Sequence, residues 1–114
     1  MVSGQAGQCM SLGVGAAMSG ACTPSDSQQS WQVFGGAIAG SNGCLAEQGA
    51  LDGQFTSYES CANVINNAKG FWIPGPGGEL INGNSGRCLD NVGLGRRLVQ
   101  EDCYGQPGEV WALN

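Results

Sequence analysis

Apolar and polar positions along this chain alternate over short distances and never settle into a helical period. No segment repeats apolar residues at i, i+3, i+4 and i+7 for long, and glycine interrupts every run, which argues against long helices. The pattern predicts short strands at 32–34, 71–73, 97–100 and 110–113. Turn residues punctuate them: Gly35-Gly36, Asn42-Gly43, Pro74-Gly75-Pro76-Gly77-Gly78 and Gln106-Pro107-Gly108. Residues 62–68 suit a single helical turn, and their asparagines suit a loop equally well. The chain is therefore predicted to be all-β.

A longer period lies above this local one. Cysteines fall at 9, 22, 44, 61, 88 and 103, and tryptophans at 31, 72 and 111. In chain order this is Cys-Cys-Trp three times over. Each first cysteine is followed closely by an apolar residue: Cys9-Met10-Ser11, Cys44-Leu45-Ala46, Cys88-Leu89-Asp90. Upstream, Gly35-Gly36-Ala37-Ile38 leading to Cys44 matches Gly77-Gly78-Glu79-Leu80 leading to Cys88, and the first copy is shortened. The units are approximately 1–34, 35–75 and 76–114, with about four strands each and twelve in all.

Composition narrows the function. At 114 residues the chain forms one domain that buries roughly two-thirds of its unfolded surface. Four Lys and Arg against nine Asp and Glu leave a net charge of −5, which disfavours nucleic acid as a partner. The absence of His removes the commonest general base and a common zinc ligand. Charged residues make up only 11%, so polarity comes from Ser, Asn, Gln and Gly; the aromatics and cysteines argue for a folded chain over disorder. No run is long enough to span a membrane.

Six cysteines allow 15 connectivities, and only pairing within each unit treats the three copies alike with local loops: Cys9–Cys22, Cys44–Cys61 and Cys88–Cys103. Each such loop is worth about 3 kcal/mol in the chain-entropy model. Six buried reduced thiols are the alternative. A zinc site is disfavoured, because no two cysteines lie closer than 13 positions. Disulfides point to an oxidising, secreted or extracellular setting. The first 25 residues lack the basic start and apolar block of a signal peptide, so that setting requires a removed leader or an altered start.

Cys-Leu-Asp at 88–90, a second Cys in each unit, and Gln29-Ser30-Trp31 at a unit's end resemble the ricin B-type lectin family. The resemblance spans essentially the whole chain. It implies a carbohydrate-binding β-trefoil whose tryptophans pack in the core. It also implies one sugar site per unit: an Asp after Cys-Leu, an aromatic two positions before the second Cys, and Asn and Gln just before the Trp. A pyranose has an apolar face and a rim of hydroxyls, so such a site joins one flat ring to a few oriented polar groups.

Every unit departs from that pattern. Unit one has Gln28-Gln29, but Ser11 and Gly20 at the Asp and aromatic positions. Unit two has Ala46 and Glu59 there, and Lys69-Gly70 before Trp72. Unit three keeps Asp90 and has Glu101 at the aromatic position and Gly108-Glu109 before Trp111. The best residual site is the third: Asp90 and Asn91 as hydrogen-bonding groups, Tyr104 as the stacking ring, and Gln106 or Glu109 at the rim. Asp90 capping its own turn is the competing explanation. A lesser alternative in unit two uses Tyr58 with Asp52 or Gln54.

No hydrolase triad, Ser-x-x-Lys arrangement or nucleophile elbow occurs, so an enzyme is not expected. Neither a metal nor a cofactor is expected: the carboxylates are too scattered for a calcium loop, and Gly13-Val14-Gly15-Ala16-Ala17-Met18 lacks a dinucleotide-binding context. The sequence thus points to a non-catalytic module that binds a glycan or polysaccharide, free-standing or part of a larger protein, with self-association into a homo-oligomer as one route to avidity. A structural, self-assembling trefoil is the alternative; a trefoil-type protease inhibitor acting through 74–78 or 106–108 is a weaker one.

Overall fold

A computed structural model describes residues 1–64 and 66–112. Turn chemistry sets the strand lengths. Between β4 (Gln32–Phe34) and β5 (Ala37–Gly40), Gly35 and Gly36 take φ of 57° and 85°. Two consecutive positive values form the tight turn that matches strand twist, and glycine adopts them without a Cβ penalty. At the next turn Asn42, with φ 63°, leads into β6 (Gly43–Glu47).

The remaining strands are β1 (Val2–Ser3), β2 (Gln8–Leu12), β3 (Ala17–Ala21), β7 (Thr56–Glu59), β8 (Trp72–Pro74), β9 (Leu80–Asn82), β10 (Cys88–Asp90), β11 (Val99–Glu101) and β12 (Trp111–Ala112). They form three antiparallel four-stranded sheets, ordered β12-β1-β2-β3, β4-β5-β6-β7 and β11-β10-β9-β8. Each sheet takes one strand that starts at or directly after a tryptophan and pairs it with the next three. β12 closes the ring by pairing with β1, Val2 opposite Ala112. Bridges Met18 to Arg97 and Phe55 to Val99 tie the sheets together. This is the β-trefoil plan.

Expected and observed elements differ at their edges. The strand expected at 32–34 matches β4; those expected at 71–73 and 97–100 are displaced to Trp72–Pro74 and Val99–Glu101. The displacement arises because Phe71 and Leu98 spend their backbone N–H groups elsewhere, on Ala68 and Ala17 carbonyls. The last residue of the strand expected at 110–113 lies outside the described residues. The segment 62–68 contains the last residues of a short helix α1 (Cys61–Val64) and enters a 3-10 turn, Ala68–Gly70; residue 65 lies outside the described residues.

Three indoles organise the core. Trp31, Trp72 and Trp111 are 6%, 0% and 6% exposed. Each donates its Nε1–H to the carbonyl of the residue after its own unit's first cysteine: Met10 at 2.9 Å, Leu45 at 3.0 Å and Leu89 at 3.1 Å. Ile38, Leu80 and Leu98 fill the space between them. The disulfides are Cys9–Cys22, Cys44–Cys61 and Cys88–Cys103.

Seams between neighbouring segments are polar on two sides and aromatic on the third. Asn91 Nδ2 donates to Ser3 Oγ at 3.0 Å and Gln8 Oε1 at 2.9 Å. Glu47 accepts from Asn84, and Gln100 Nε2 donates to the Gly49 carbonyl. At the third seam Tyr58 meets Trp31 edge-on, ring centres 5.8 Å apart. Buried polar groups satisfied in this way fix how the segments pack, because a slip would leave them unpaired.

Candidate functional site

The three segments end alike. Each second cysteine is followed by a loop or α1 that runs into a 3-10 turn: Ser27–Gln29, Ala68–Gly70 and Pro107–Glu109. Asp26 and Asn67 cap the first two turns by accepting from Gln28 N and Lys69 N. In the third, Pro107 at the turn's start has no N–H to satisfy.

The last residue of each turn clamps the loop or leaves room for it. Gln29 accepts from Thr23 N at 2.9 Å and donates to Ala21 O at 2.8 Å. Gly70 has no side chain, and a Cβ there would lie 2.6 Å from Val64 Cβ. Glu109, fully buried, accepts from Tyr104 N at 2.7 Å and Gly105 N at 2.9 Å through Oε1. Its Oε2 is buried with no partner. Glu109→Gln is therefore expected to stabilise the fold by about 1 kcal/mol, by removing a buried charge while keeping Oε1 as the acceptor for Tyr104 N and Gly105 N. A higher denaturant midpoint checks this; a lower one refutes the clamp.

Of the residues singled out in sequence, the fold gathers Asp90, Asn91 and Glu109. Asp90 is 4% exposed and sits under the third 3-10 turn, where a Cβ on Gly108 would lie 2.5 Å from its Oδ1. Asn91 is 1% exposed; besides bridging to Ser3 and Gln8, its Oδ1 accepts from Gly93 N at 3.0 Å. Tyr104 is 64% exposed, its hydroxyl 3.4 Å from Asp102 Oδ2. Gln106 is exposed and precedes the turn without capping it. The unit-two alternative is not assembled: Tyr58 donates to Ser41 O, Asp52 accepts from Asp102 N, and Gln54 accepts from Leu51 N.

Asp90 titrates far from an ordinary carboxyl. Burial first, then the neighbouring Glu101 carboxyl and the Glu109 charge, push its pKa up to about 8, against the pull of the Asn91 N–H. The register explains the contact with Glu101. Cys88 pairs with Glu101 and Asp90 with Val99, so Asp90 and Glu101 are diagonal neighbours on one face of the hairpin.

Beside this pair opens a groove lined by Phe55, Val92, Arg96, Arg97, Val99 and Glu101. Phe55 is 48% exposed. Arg97 lies over its ring, 4.5 Å from the centroid, and donates to Thr56 O at 2.7 Å. Phe55, Arg97 and Val92 were not found by reading within units. Phe55 comes from the segment before, and only the bridge to Val99 brings it here. The groove thus sets one half-exposed ring and an apolar floor beside a carboxyl pair. The equivalent groove in the second segment is polar, with Ser57, Glu59, Asn63, Asn67 and Lys69, and Glu59 there accepts from Ser57 Oγ at 2.7 Å.

The fold and its three matched segments define a β-trefoil. The chain superposes on the agglutinin of Abrus precatorius with a TM-score of 0.86 at 20% identity, over 96% of its own length and 44% of that chain. A non-toxic homologue of type II RIPs from Momordica charantia, solved in complex with α-methyl-D-galactoside, matches with a TM-score of 0.83 at 18% identity, over 96% and 44% of the two chains. A designed 3-fold symmetric protein, ThreeFoil, matches with a TM-score of 0.76 at 16% identity, over 95% and 91%. The chain spans less than half the length of the first two. No protein-family model and no curated protein sequence matches it.

Proposed function

We propose that the chain is a non-catalytic, secreted lectin-like module that binds carbohydrate at the third-segment groove. The observation that carries this reading is the half-exposed Phe55 ring set beside the Asp90–Glu101 pair. The ring supplies the flat surface for a pyranose face, and the carboxyls accept from its hydroxyls. Asn91 and Glu109 hold neighbouring loops, and Tyr104 and Gln106 stand exposed on the loop that Glu109 holds. Three disulfides support an oxidising compartment.

Isothermal titration against a glycan panel tests the reading. Phe55→Ala is expected to weaken sugar binding by about tenfold, the worth of one stacking ring. Unchanged affinity in that variant would remove Phe55 from the site. A self-assembling role is the second reading, favoured by Phe34, Phe71 and Ile73, which are 53%, 44% and 44% exposed around β4 and β8. Sedimentation showing concentration-dependent association with a silent glycan panel would favour it.

A further inference from the structure

The chain carries four Lys and Arg against nine Asp and Glu, and two of those four cations line the third-segment groove. Arg96 and Arg97 face one ionised carboxylate there, Glu101, because Asp90 beside it keeps its proton below about pH 8. Among the described residues the ion pairs are those of Arg87 with Asp52 and Asp102, so neither groove arginine is ion-paired. Arg97 is engaged elsewhere. It lies over the Phe55 ring, donates through Nη2 to Thr56 O and Gln48 Oε1, and borders the second-segment groove with Glu47, Glu59 and Lys69. Arg96 has its donors to spare. Among the described residues its exposed side chain makes no hydrogen bond; it runs past Gly93, where a Cβ would lie 3.2 Å from Arg96 Cδ. The backbone beneath it is fixed: Arg96 N donates to Gly93 O at 3.1 Å, and Arg96 O accepts from Ser19 N at 2.9 Å.

We infer that this groove selects pyranoses bearing a ring carboxylate, the hexuronic acids, with Arg96 pairing the carboxylate; this specificity rests on the carbohydrate-binding reading above. A guanidinium is a planar fork of donors that matches the two oxygens of a carboxylate, and its charge-assisted bonds are about twice as strong as neutral ones. A neutral sugar leaves that fork to water. Phe55 holds the apolar face of the same ring, with the Arg97 charge behind it, and Glu101 accepts from a hydroxyl at the groove wall. Dense polyanions are disfavoured, because the chain as a whole carries a charge of −5.

The test is an amide-shift NMR titration of the whole chain with methyl glucuronide and methyl galacturonide, their methyl esters, and the matching neutral glycosides. It is run at about pH 6, where a sugar carboxylate is ionised. The uronides are expected to bind about fivefold tighter than their esters and the neutral glycosides, the upper worth of one exposed charge pair. Added salt is expected to shrink that advantage. Arg96→Gln, a change at an exposed side chain, is expected to bring all three forms to parity while still binding them. Lys69→Gln is expected to leave the preference intact. Parity in the unaltered chain overturns the inference and leaves the sugar site standing. Silence toward every sugar overturns the site itself. A preference that survives Arg96→Gln, or that is lost in Lys69→Gln, overturns its assignment to this groove.

Discussion

Replacing Trp72 by Ala is expected to cost about 3–5 kcal/mol, the range for deleting a fully buried large aromatic. Trp72 is 0% exposed, and its indole is bonded to the Leu45 carbonyl. The substitution leaves a cavity at the core and an orphaned carbonyl inside it. Against a total stability of about 5–15 kcal/mol, that removes a third or more and leaves the chain partly unfolded when warmed. Trp72→Phe separates the two contributions. It keeps most of the ring and loses the donor, and is expected to cost about 1–3 kcal/mol from the unpaired Leu45 carbonyl alone. Trp31→Phe and Trp111→Phe should behave alike, because each indole makes the same bond to Met10 or Leu89. Denaturant unfolding of the three Phe variants measures this. A Trp72→Phe protein as stable as the original would mean the indole bond is incidental to the fold.

The second large effect is on pH. With its pKa raised to about 8, folded Asp90 keeps a proton that the unfolded chain releases near pH 4. Between those values the native state binds more protons, so stability falls as pH rises, and the contribution present below about pH 4 is lost by about pH 8. The loss across that window is on the order of a few kcal/mol. Asp90→Asn keeps the side chain's shape and removes its titration. The variant is expected to show a flatter stability profile and to exceed the unaltered chain at about pH 8. Urea midpoints at about pH 5 and pH 8.5 for both proteins read the difference directly. Parallel profiles would place Asp90 outside the coupled carboxyl pair.

Such a carboxyl, costly for the fold at neutral pH, is what a ligand-binding position looks like when its partner is absent from the chain itself. Glu109 leaves Oε2 without a partner, where the matching Gln29 finds both of its partners within its own loop. Reading the residues before each tryptophan as sugar contacts had its reason in the family resemblance. In this fold, Gln29 and Glu109 instead spend their hydrogen bonds on the loop after the second cysteine, and Gly70 makes room where α1 replaces that loop.

The threefold phasing of cysteine and tryptophan pointed, without coordinates, to three like all-β units with a sulfur bridge in each, and the resemblance to ricin B-type lectins added the trefoil and its indole-centred core. These features are local to each copy. A disulfide, an indole bond to the residue beside a cysteine, and a two-glycine turn each leave a fixed spacing in the chain. The groove leaves no such trace. Phe55, Arg97 and Glu101 meet because antiparallel pairing brings one copy's loop against the next copy's strand, and no spacing within a copy encodes that approach. The inward turn of Asn91 and Glu109 likewise depends on neighbours such as Ser3, Gln8 and Tyr104, which compete for their hydrogen bonds only once the ring of sheets has closed.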